Sequence, residues 1–406
     1  MDESPISVLI VDDSALMRNL IGKIVESCPG LVIAGKAMNG VFALQKLPRL
    51  DPDIIVLDLE MPEMNGIEFL KERKRHGIET PVVILSSLAR KGAEVTMEAL
   101  ALGASDFILK PSGAISEDIH TVGEQLTEML LAYGRQYRRT RGRRPEGVPR
   151  QGTVVQPRGF MPERPQAVPP VSGRDRSGAD LPVEPRVRFP FDLHSRSERP
   201  RIEPVRAPGP VDIVAVGIST GGPNALRVVF SCLAPDLDVP IVVVQHMPPG
   251  FTEEFAKSLD RICPLEVKEG SDGDILKPGR ILIAPGDRHV EIEKRPLATI
   301  LRLSDAPPVN GHRPSADVLF ASVARHYGNR SLTVIMTGMG RDGAQEIGSV
   351  YREGGMTFAQ DEQTSVVFGM PKVAIESGYI HRVVPLQEMS EAICTYVKDS
   401  RSPKRR

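Results

Sequence analysis

The 406-residue sequence predicts two α/β domains, each a doubly wound sheet of mostly parallel strands, joined by a segment unlike either. Three observations carry this. Short, continuously apolar runs rich in Val, Ile and Leu alternate with stretches of helical period, once over residues 6–132 and again from residue 211. Unbroken apolar runs mark strands buried on both faces, and their alternation with helices marks crossover units of a parallel sheet. Polar residues able to do chemistry recur just past those runs, at the carboxyl ends of strands where such sheets bind ligands. Between the two halves, residues 134–208 change composition altogether.

Bulk composition excludes several classes. Apolar content of 41% and charged content of 25% are ordinary for globular protein. No apolar run approaches eighteen residues, so no membrane insertion is expected. The N-terminus is acidic and enters a strand at once, which argues against a signal peptide. Cys28, Cys232, Cys263 and Cys394 are widely separated and show no CxxC spacing. Reduced thiols in a cytoplasmic protein are expected. The net charge of −1 hides an asymmetry. Residues 134–208 hold seventeen Arg, no Lys, thirteen Pro and only eight carboxylates. Such a stretch cannot bury enough apolar area to offset its ordering entropy. It reads as an extended linker. Its arginines suggest nucleic acid or anionic lipid, but no aromatic interleaving or basic helix supports that, and no nucleic-acid partner is expected. The predicted division is 1–133, a linker over 134–208, a second domain over 209–400, and a basic tail over 401–406.

In the first domain, residues 6–12 form a strand ending at Asp12 and Asp13. A helix over 15–27, a strand at 32–34 and a helix over 40–47 follow. The strand 54–57 ends at Asp58, and residues 68–75 are helical. The strand 82–85 ends at Ser86, with a helix over 92–102. The strand 107–109 ends at Lys110, and a helix over 115–132 closes five β-α units. Packed carboxylates repel one another, and a hard divalent cation is the natural remedy; Mg²⁺ accepts carboxylates together with phosphate oxygens. Lys110 and Ser86 can hold phosphoryl oxygens. Phosphoryl transfer to an aspartate is the chemistry suggested. Any one of these carboxylates could be a helix cap, but five such residues at strand ends make that reading poor.

Residues 6–125 resemble a two-component receiver domain. The resemblance implies that Asp58 is the phosphoacceptor and that Asp12 and Asp13 are the acidic pair. Asp13 would ligate Mg²⁺ together with Asp58 and the Glu60 carbonyl. Ser86 and Lys110 would be the switch hydroxyl and phosphate-binding lysine, and Phe107 the switch aromatic.

The second domain opens on a strand from Val211 and the turn Gly217-Ile218-Ser219-Thr220-Gly221-Gly222-Pro223. The helix over 224–233 follows, with Pro223 suited to its first turn. The spelling GxSxG permits a nucleophile elbow; a phosphate-cradling turn is an equal alternative at this point. Further elements are a strand at 241–245 ending at His246, and a helix over 253–261 capped by Thr252. A strand at 280–284, a hairpin pairing 289–293 with 299–303, and a helix over 315–327 come next. The strand 332–336 runs into Thr337-Gly338-Met339-Gly340-Arg341-Asp342-Gly343 and a helix to about 353. A strand at 356–360, a helix over 370–377, a strand at 380–384 and a last helix complete the domain. Ser219, His246 and Asp342 each follow a buried strand. A serine needs a base, and a base needs an orienting acid. His289, His312 and His326 compete for the first role, and Asp287 and Asp305 for the second. The order Ser, His, Asp differs from that of an α/β-hydrolase. N–H groups after Ser219 and around Met339 are candidates for an oxyanion hole.

Residues 210–398 are similar to the catalytic domain of chemotaxis-receptor methylesterases. The similarity rests on Gly217 to Gly222, Gln245 to Phe251, Ala284 to His289, His312 to Ser315, Met336 to Gly343, and Phe368 to Pro371. It implies a phosphorylation-activated hydrolase that demethylates glutamate methyl esters on chemoreceptors, releasing methanol, and deamidates receptor glutamines. Ser219 would be the nucleophile, His246 the base and Asp342 its orienter, with Thr220 and Met339 at the oxyanion hole or positioning. Apart from the similarity, the charge of Arg313 suggests that it meets the receptor's acidic surface. The implied partners are a chemotaxis histidine kinase and the chemoreceptor. Mg²⁺ would serve receiver phosphorylation only, with no cofactor for ester hydrolysis, and a monomer is expected. The alternatives are a phospho-regulated esterase with another protein substrate, or a regulator that only binds. The linker is longer and richer in arginine than in the best-known members, which argues against tightly fixed docking of the domains.

Overall fold

The computed structural model describes residues 4–87, 90–110, 117–141 and 204–402. Most of the predicted linker, residues 403–406 of the predicted tail, and the first two residues of the helix predicted from 115 lie outside these.

The first domain runs β1 (Ile6–Val11), α1 (Ala15–Ser27), β2 (Leu31–Ala37), α2 (Gly40–Leu50), β3 (Ile54–Asp58), α3 (Gly66–Arg75), β4 (Val82–Ser86), α4 (Arg90–Ala101), β5 (Asp106–Leu109) and α5 (Glu117–Arg141). The sheet order is β2-β1-β3-β4-β5, and every pairing is parallel. Ile54 to Leu57 and Val82 to Ile84 are fully buried because helices cover both faces. The chain reverses direction across the sheet between β1 and β3, which places Asp12 and Asp58 side by side at the carboxyl edge. Helix α5 runs past the predicted domain end at 133 and takes in the linker's first residues, near Gly134 to Thr140, which the sequence leaves open to a helix. The reason is local: Arg138 donates to both carboxylate oxygens of Asp53, at 2.8 and 2.6 Å, and Arg141 reaches Asp51. The first arginines assigned to the linker therefore anchor a helix.

The second domain contains β6 (Ile213–Ile218), α6 (Gly222–Ser231), β7 (Ile241–Gln245), α7 (Phe251–Asp260), β8 (Glu266–Glu269), β9 (Arg280–Ile283), β10 (His289–Lys294), β11 (Thr299–Ser304), α8 (Ala316–Tyr327), β12 (Ser331–Ile335), α9 (Ile347–Arg352), β13 (Met356–Gln360), α10 (Met370–Glu376), β14 (Arg382–Val384) and α11 (Leu386–Arg401). Seven strands pair in the order β14-β13-β12-β6-β7-β9-β8, all parallel, and β10 pairs β11 as the predicted antiparallel hairpin. Both doubly wound sheets predicted from sequence are therefore present.

Four local expectations change. The sequence reading omits β8, whose residues Glu266 to Glu269 supply one buried apolar side chain, Val267. Thr252 does not cap α7. Gly250 is the N-cap, in the left-handed region at φ 82°, and the buried Thr252 hydroxyl donates to Glu269 and accepts from Gly286 N. Residues 341–346 form turns before the short α9. Residues 204–208, assigned to the linker, belong to the second domain's surface: Val205 N donates to Arg352 O at 2.8 Å, and Asn329 donates to Ala207 O at 3.0 Å.

The two domains pack directly, against the expectation of loose docking. Phe107 of β5 stacks on Phe251 of α7, with ring centroids 4.9 Å apart and planes 8° from parallel. Asn224 of α6 donates to the carbonyls of Ala104 and Ser105 at 2.9 and 2.8 Å. Helices α4 and α7 lie against each other.

Candidate functional site

Strand β6 lies at the centre of its sheet, with β7 on one side and β12 on the other. That is the switch point at which an open parallel sheet opens a crevice at its carboxyl edge. Ser219 follows β6, His246 follows β7, and Asp342 follows β12 through a loop. Ser219 is held by its own backbone, its N–H donating to Thr337 O at 3.0 Å. The turn closes with Gly222 N donating to Ser219 O at 2.8 Å. Gly221 sits at φ 81°, a conformation costly for any other residue, and begins α6. On the facing loop Gly338 lies so close that a Cβ there would meet Ser219 Cβ at 2.8 Å and Met370 Sδ at 2.3 Å.

The three side chains converge. His246 Nδ1 is 3.0 Å from Ser219 Oγ, and its Nε2 is 2.9 Å from Asp342 Oδ2. An ionised Asp342 is acceptor-only, so it fixes the proton on Nε2 and leaves Nδ1 free to accept from the serine. Asp342 is fully buried. It also accepts from Ser315 Oγ at 2.6 Å, Asn310 Nδ2 at 3.0 Å and Ala316 N at 2.6 Å. Burial pushes its carboxyl up, but the hydrogen bond and charge of His246, with the donors from Ser315 and Asn310, outweigh burial and hold it well below the usual carboxylate range. Asp342 also caps a helix, though not the one that follows it in sequence: it accepts from Ala316 N, the first N–H of α8. The turn N–H groups have different fates. Gly221 N donates to Asp106 Oδ2 of the first domain at 2.8 Å. Among the described residues, the N–H groups of Thr220 and Met339 have no protein acceptor.

The competitors fall elsewhere. His289 is buried against Pro307 O, Asp287 pairs with Arg313, and Asp305 pairs with Arg288. His326 lies in the last turn of α8. His312 does reach the site, stacked on the His246 ring. The Arg313 guanidinium donates to Asp287 and to the carbonyls of Asp305 and Ala306. A cavity of about 400 Å³ opens over Ser219 and His246, and Phe107, Leu109, Gln125 and Met129 of the first domain form its other wall.

The acidic site of the first domain lies at the carboxyl edges of β1 and β3. Carboxylate oxygens of Asp12, Asp13 and Asp58 all lie within 4.8 Å of one another. Lys110 Nζ is 2.7 Å from Asp58 Oδ2 and 3.4 Å from Asp12 Oδ2. Asp12 Oδ2 is buried and receives no hydrogen bond. Burial and the neighbouring Asp58 push the Asp12 carboxyl up, against the pull of Lys110. Two buried carboxylates and one exposed one, with a buried Asp12 oxygen whose near neighbour is only the Lys110 ion pair, are a donor set that fits a hard divalent cation. Glu60 N donates to Asp58 Oδ1 at 3.2 Å, which places the Glu60 backbone at the same edge. The Ser86 hydroxyl turns toward α4, 2.7 Å from Thr96 Oγ1, and that threonine donates to Gly92 O.

Two contacts were not visible in sequence. Asp106 falls just before the strand predicted at 107–109, and Asn310 between the predicted hairpin and the helix over 315–327, and neither carries an assignment there. The Asn310-Gly311 pair is itself a tight-hairpin signal and could have drawn attention to that turn.

These folds and sites define a class: a response-regulator receiver joined to a hydrolase domain with a serine, histidine and aspartate in line. The family described as response regulator receiver domain matches residues 8–120, and the family described as CheB methylesterase matches residues 214–393. A protein-glutamate methylesterase/protein-glutamine glutaminase of Treponema denticola is 55% identical over 97% of this chain and 99% of that protein. Its counterpart in Treponema pallidum is 50% identical over 97% of each. The crystal structure of the Thermotoga maritima CheB methylesterase catalytic domain is 41% identical, covering 46% of this chain and 99% of that one, with a TM-score of 0.45. The chain belongs to the family of protein-glutamate methylesterases/protein-glutamine glutaminases, and it is an enzyme of that family.

Proposed function

We propose that this protein removes methyl groups from γ-methyl-glutamate side chains of chemoreceptors in the cytoplasm, deamidates receptor glutamines at the same site, and is switched on by phosphorylation of Asp58. The observation that carries the chemistry is the continuous hydrogen-bonded line from Ser219 Oγ through His246 to the buried Asp342. Ser219 Oγ attacks the ester carbonyl and passes its proton to His246 Nδ1. Asp342 stabilises the imidazolium through Nε2. The tetrahedral oxyanion is met by the N–H groups of Thr220 and Met339, and one such donor is worth on the order of 10²- to 10³-fold in rate. His246 then gives the proton to the leaving oxygen, which departs as methanol and leaves a glutamyl ester on Ser219. Water, deprotonated by His246, attacks that ester, and His246 returns the proton to Ser219 Oγ as it leaves, giving the free carboxylate and the starting enzyme. With glutamine the same steps expel ammonia.

For regulation, Asp13, Asp58 and the Glu60 carbonyl would hold Mg²⁺, with Asp12 beside them. The ion would supply neutralisation of charge during phosphoryl transfer from a chemotaxis histidine kinase. Lys110 would take a phosphoryl oxygen in place of Asp58 Oδ2, and Ser86 would turn from Thr96 toward the phosphoryl group. Phe107, two strands away and seated on Phe251, links that change to the wall over Ser219. In the unphosphorylated state the receiver would cover the esterase cleft, and the first-domain residues that wall the cavity support this. No helix among the described residues is long and apolar enough to cross a membrane.

The test is methanol release from methyl-labelled receptor membranes, with and without a small-molecule phosphodonor and Mg²⁺. Ser219→Ala should abolish release. Asp58→Asn, or EDTA, should remove the stimulation and leave the basal rate. Release that survives Ser219→Ala overturns the chemistry; stimulation that survives Asp58→Asn overturns the regulation.

A further inference from the structure

Between the hairpin β10–β11 and helix α8, residues 309–312 form a two-residue reverse turn. Val309 N donates to His312 O at 3.0 Å and His312 N to Val309 O at 2.9 Å. Asn310 and Gly311 sit at φ 53° and 80°, both left-handed, which is the conformation that Asn-Gly pairs adopt most readily. The turn therefore has a defined shape, and two side chains leave it toward the same place. Asn310 Nδ2 donates to Asp342 Oδ1 at 3.0 Å and to Asp317 Oδ2 at 2.7 Å. The His312 ring lies on the His246 ring, with centroids 3.8 Å apart and planes 14° from parallel.

We propose that this turn is a clamp on the His246–Asp342 pair, with Asn310 and His312 as positioning residues for the reaction. The proposal rests on the reading of Ser219, His246 and Asp342 given above. His246 must keep two bonds at once, one from each ring nitrogen, and a rotation of its ring breaks both. A flat ring stacked on one face opposes that rotation. Asp342 must keep one oxygen on His246, and a donor on its other oxygen fixes the carboxylate plane. The bond from Asn310 also draws in the buried Asp317, whose second oxygen is taken by Glu346 N at 2.9 Å. One neutral amide thus separates two buried carboxylates that would otherwise face each other. A stacked ring serves here only if it stays uncharged when His246 takes up the serine proton. Burial and the neighbouring His246 push the His312 imidazole down to about 4, so it is neutral throughout the working range.

The experiment uses the full chain, activated by phosphodonor, with methylated receptor membranes as substrate and kcat and KM determined separately. His312→Ala should lower kcat roughly 10- to 100-fold, because a misplaced base loses its near-attack geometry, with KM changed by less than about twofold. His312→Phe keeps a flat ring without titratable nitrogen and should recover kcat to within about threefold of the parent. Asn310→Ala should lower kcat with the same unchanged KM. Combined with His312→Ala it should cost less than the product of the two single effects, since both act on one pair. Thermal melts of each variant separate misfolding from misplacement. The clamp is overturned if His312→Ala retains parental kcat, if the loss falls mainly in KM, or if His312→Phe is as impaired as His312→Ala. In that last case the imidazole takes part chemically. Activity that survives Ser219→Ala would instead remove the reading beneath the clamp.

Discussion

At the scale of residues, Asp342 joins a chemical task to a structural one. Its two oxygens serve His246, Ser315, Asn310 and the first N–H of α8. A carboxylate suits this because every partner is a donor, and the positive end of a helix adds to the attraction. Asp342→Asn keeps the shape and turns an amide NH₂ toward one set of donors. His246 is then left without a fixed tautomer, and kcat should fall on the order of 10²- to 10⁴-fold. A donor left mispaired in a buried place also costs about 1–3 kcal/mol. The Asn variant should therefore melt at lower temperature than Ser219→Ala, although both are inactive. Equal melting of the two would show that Asp342 carries no structural share.

At the scale of elements, the site depends on how closely two loops approach. Gly338, after β12, leaves no room for a methyl group beside Ser219 and Met370. Gly338→Ala must push the Thr337–Met339 backbone away, and that backbone holds Ser219 N through Thr337 O. Overpacking of this kind costs about 1–3 kcal/mol, and the displaced nucleophile should lose at least tenfold in kcat; a parental rate in this variant would mean the loop yields freely. Such approaches explain what the sequence could and could not say. The strand ends bearing Asp12, Asp58, Ser219 and His246 were legible because apolar runs of fixed length stop at them. Asp342 was legible as a loop acid past β12, though not as the cap of α8, because that contact joins segments 26 residues apart with no periodic signal. Strand β8 was hidden by its charged edge. Thr252 read as a cap because of its place before Glu253, while tertiary packing gave its hydroxyl to Glu269 and Gly286. Asp106 carried no local signal at all, since its partner lies 115 residues onward.

At the scale of the whole molecule, Asp106 ties the receiver to the nucleophile turn. Its carboxylate accepts from Gly221 N at 2.8 Å, from Phe107 N at 2.9 Å and from Tyr133 Oη at 3.1 Å, and it is buried. No cation faces it among these partners, and burial pushes its carboxyl up to about 6, against the pull of Gly221, Phe107 and Tyr133. Separating the domains would uncover it and return it toward its ordinary value of 3.8. The packed state then holds the proton more tightly than the separated state, so packing is strengthened as pH falls through 6 and is indifferent to this group well above it. Between pH 7 and pH 5 the gain is on the order of 1 kcal/mol, or several-fold in the packing equilibrium. If the receiver restrains the esterase, the ratio of unphosphorylated to phosphorylated activity should fall several-fold over that interval. Taking the ratio removes the pH dependence of the chemistry itself. Asp106→Ala removes both the proton and the bond to Gly221 N. It should raise the unphosphorylated rate roughly fivefold or more, toward the activated ceiling, at a cost of about 1–3 kcal/mol to packing. It should also flatten the ratio with pH. A variant with parental basal activity would show that Phe107, Asn224 and their neighbours hold the domains together unaided, and a ratio that still falls would assign the proton to another group.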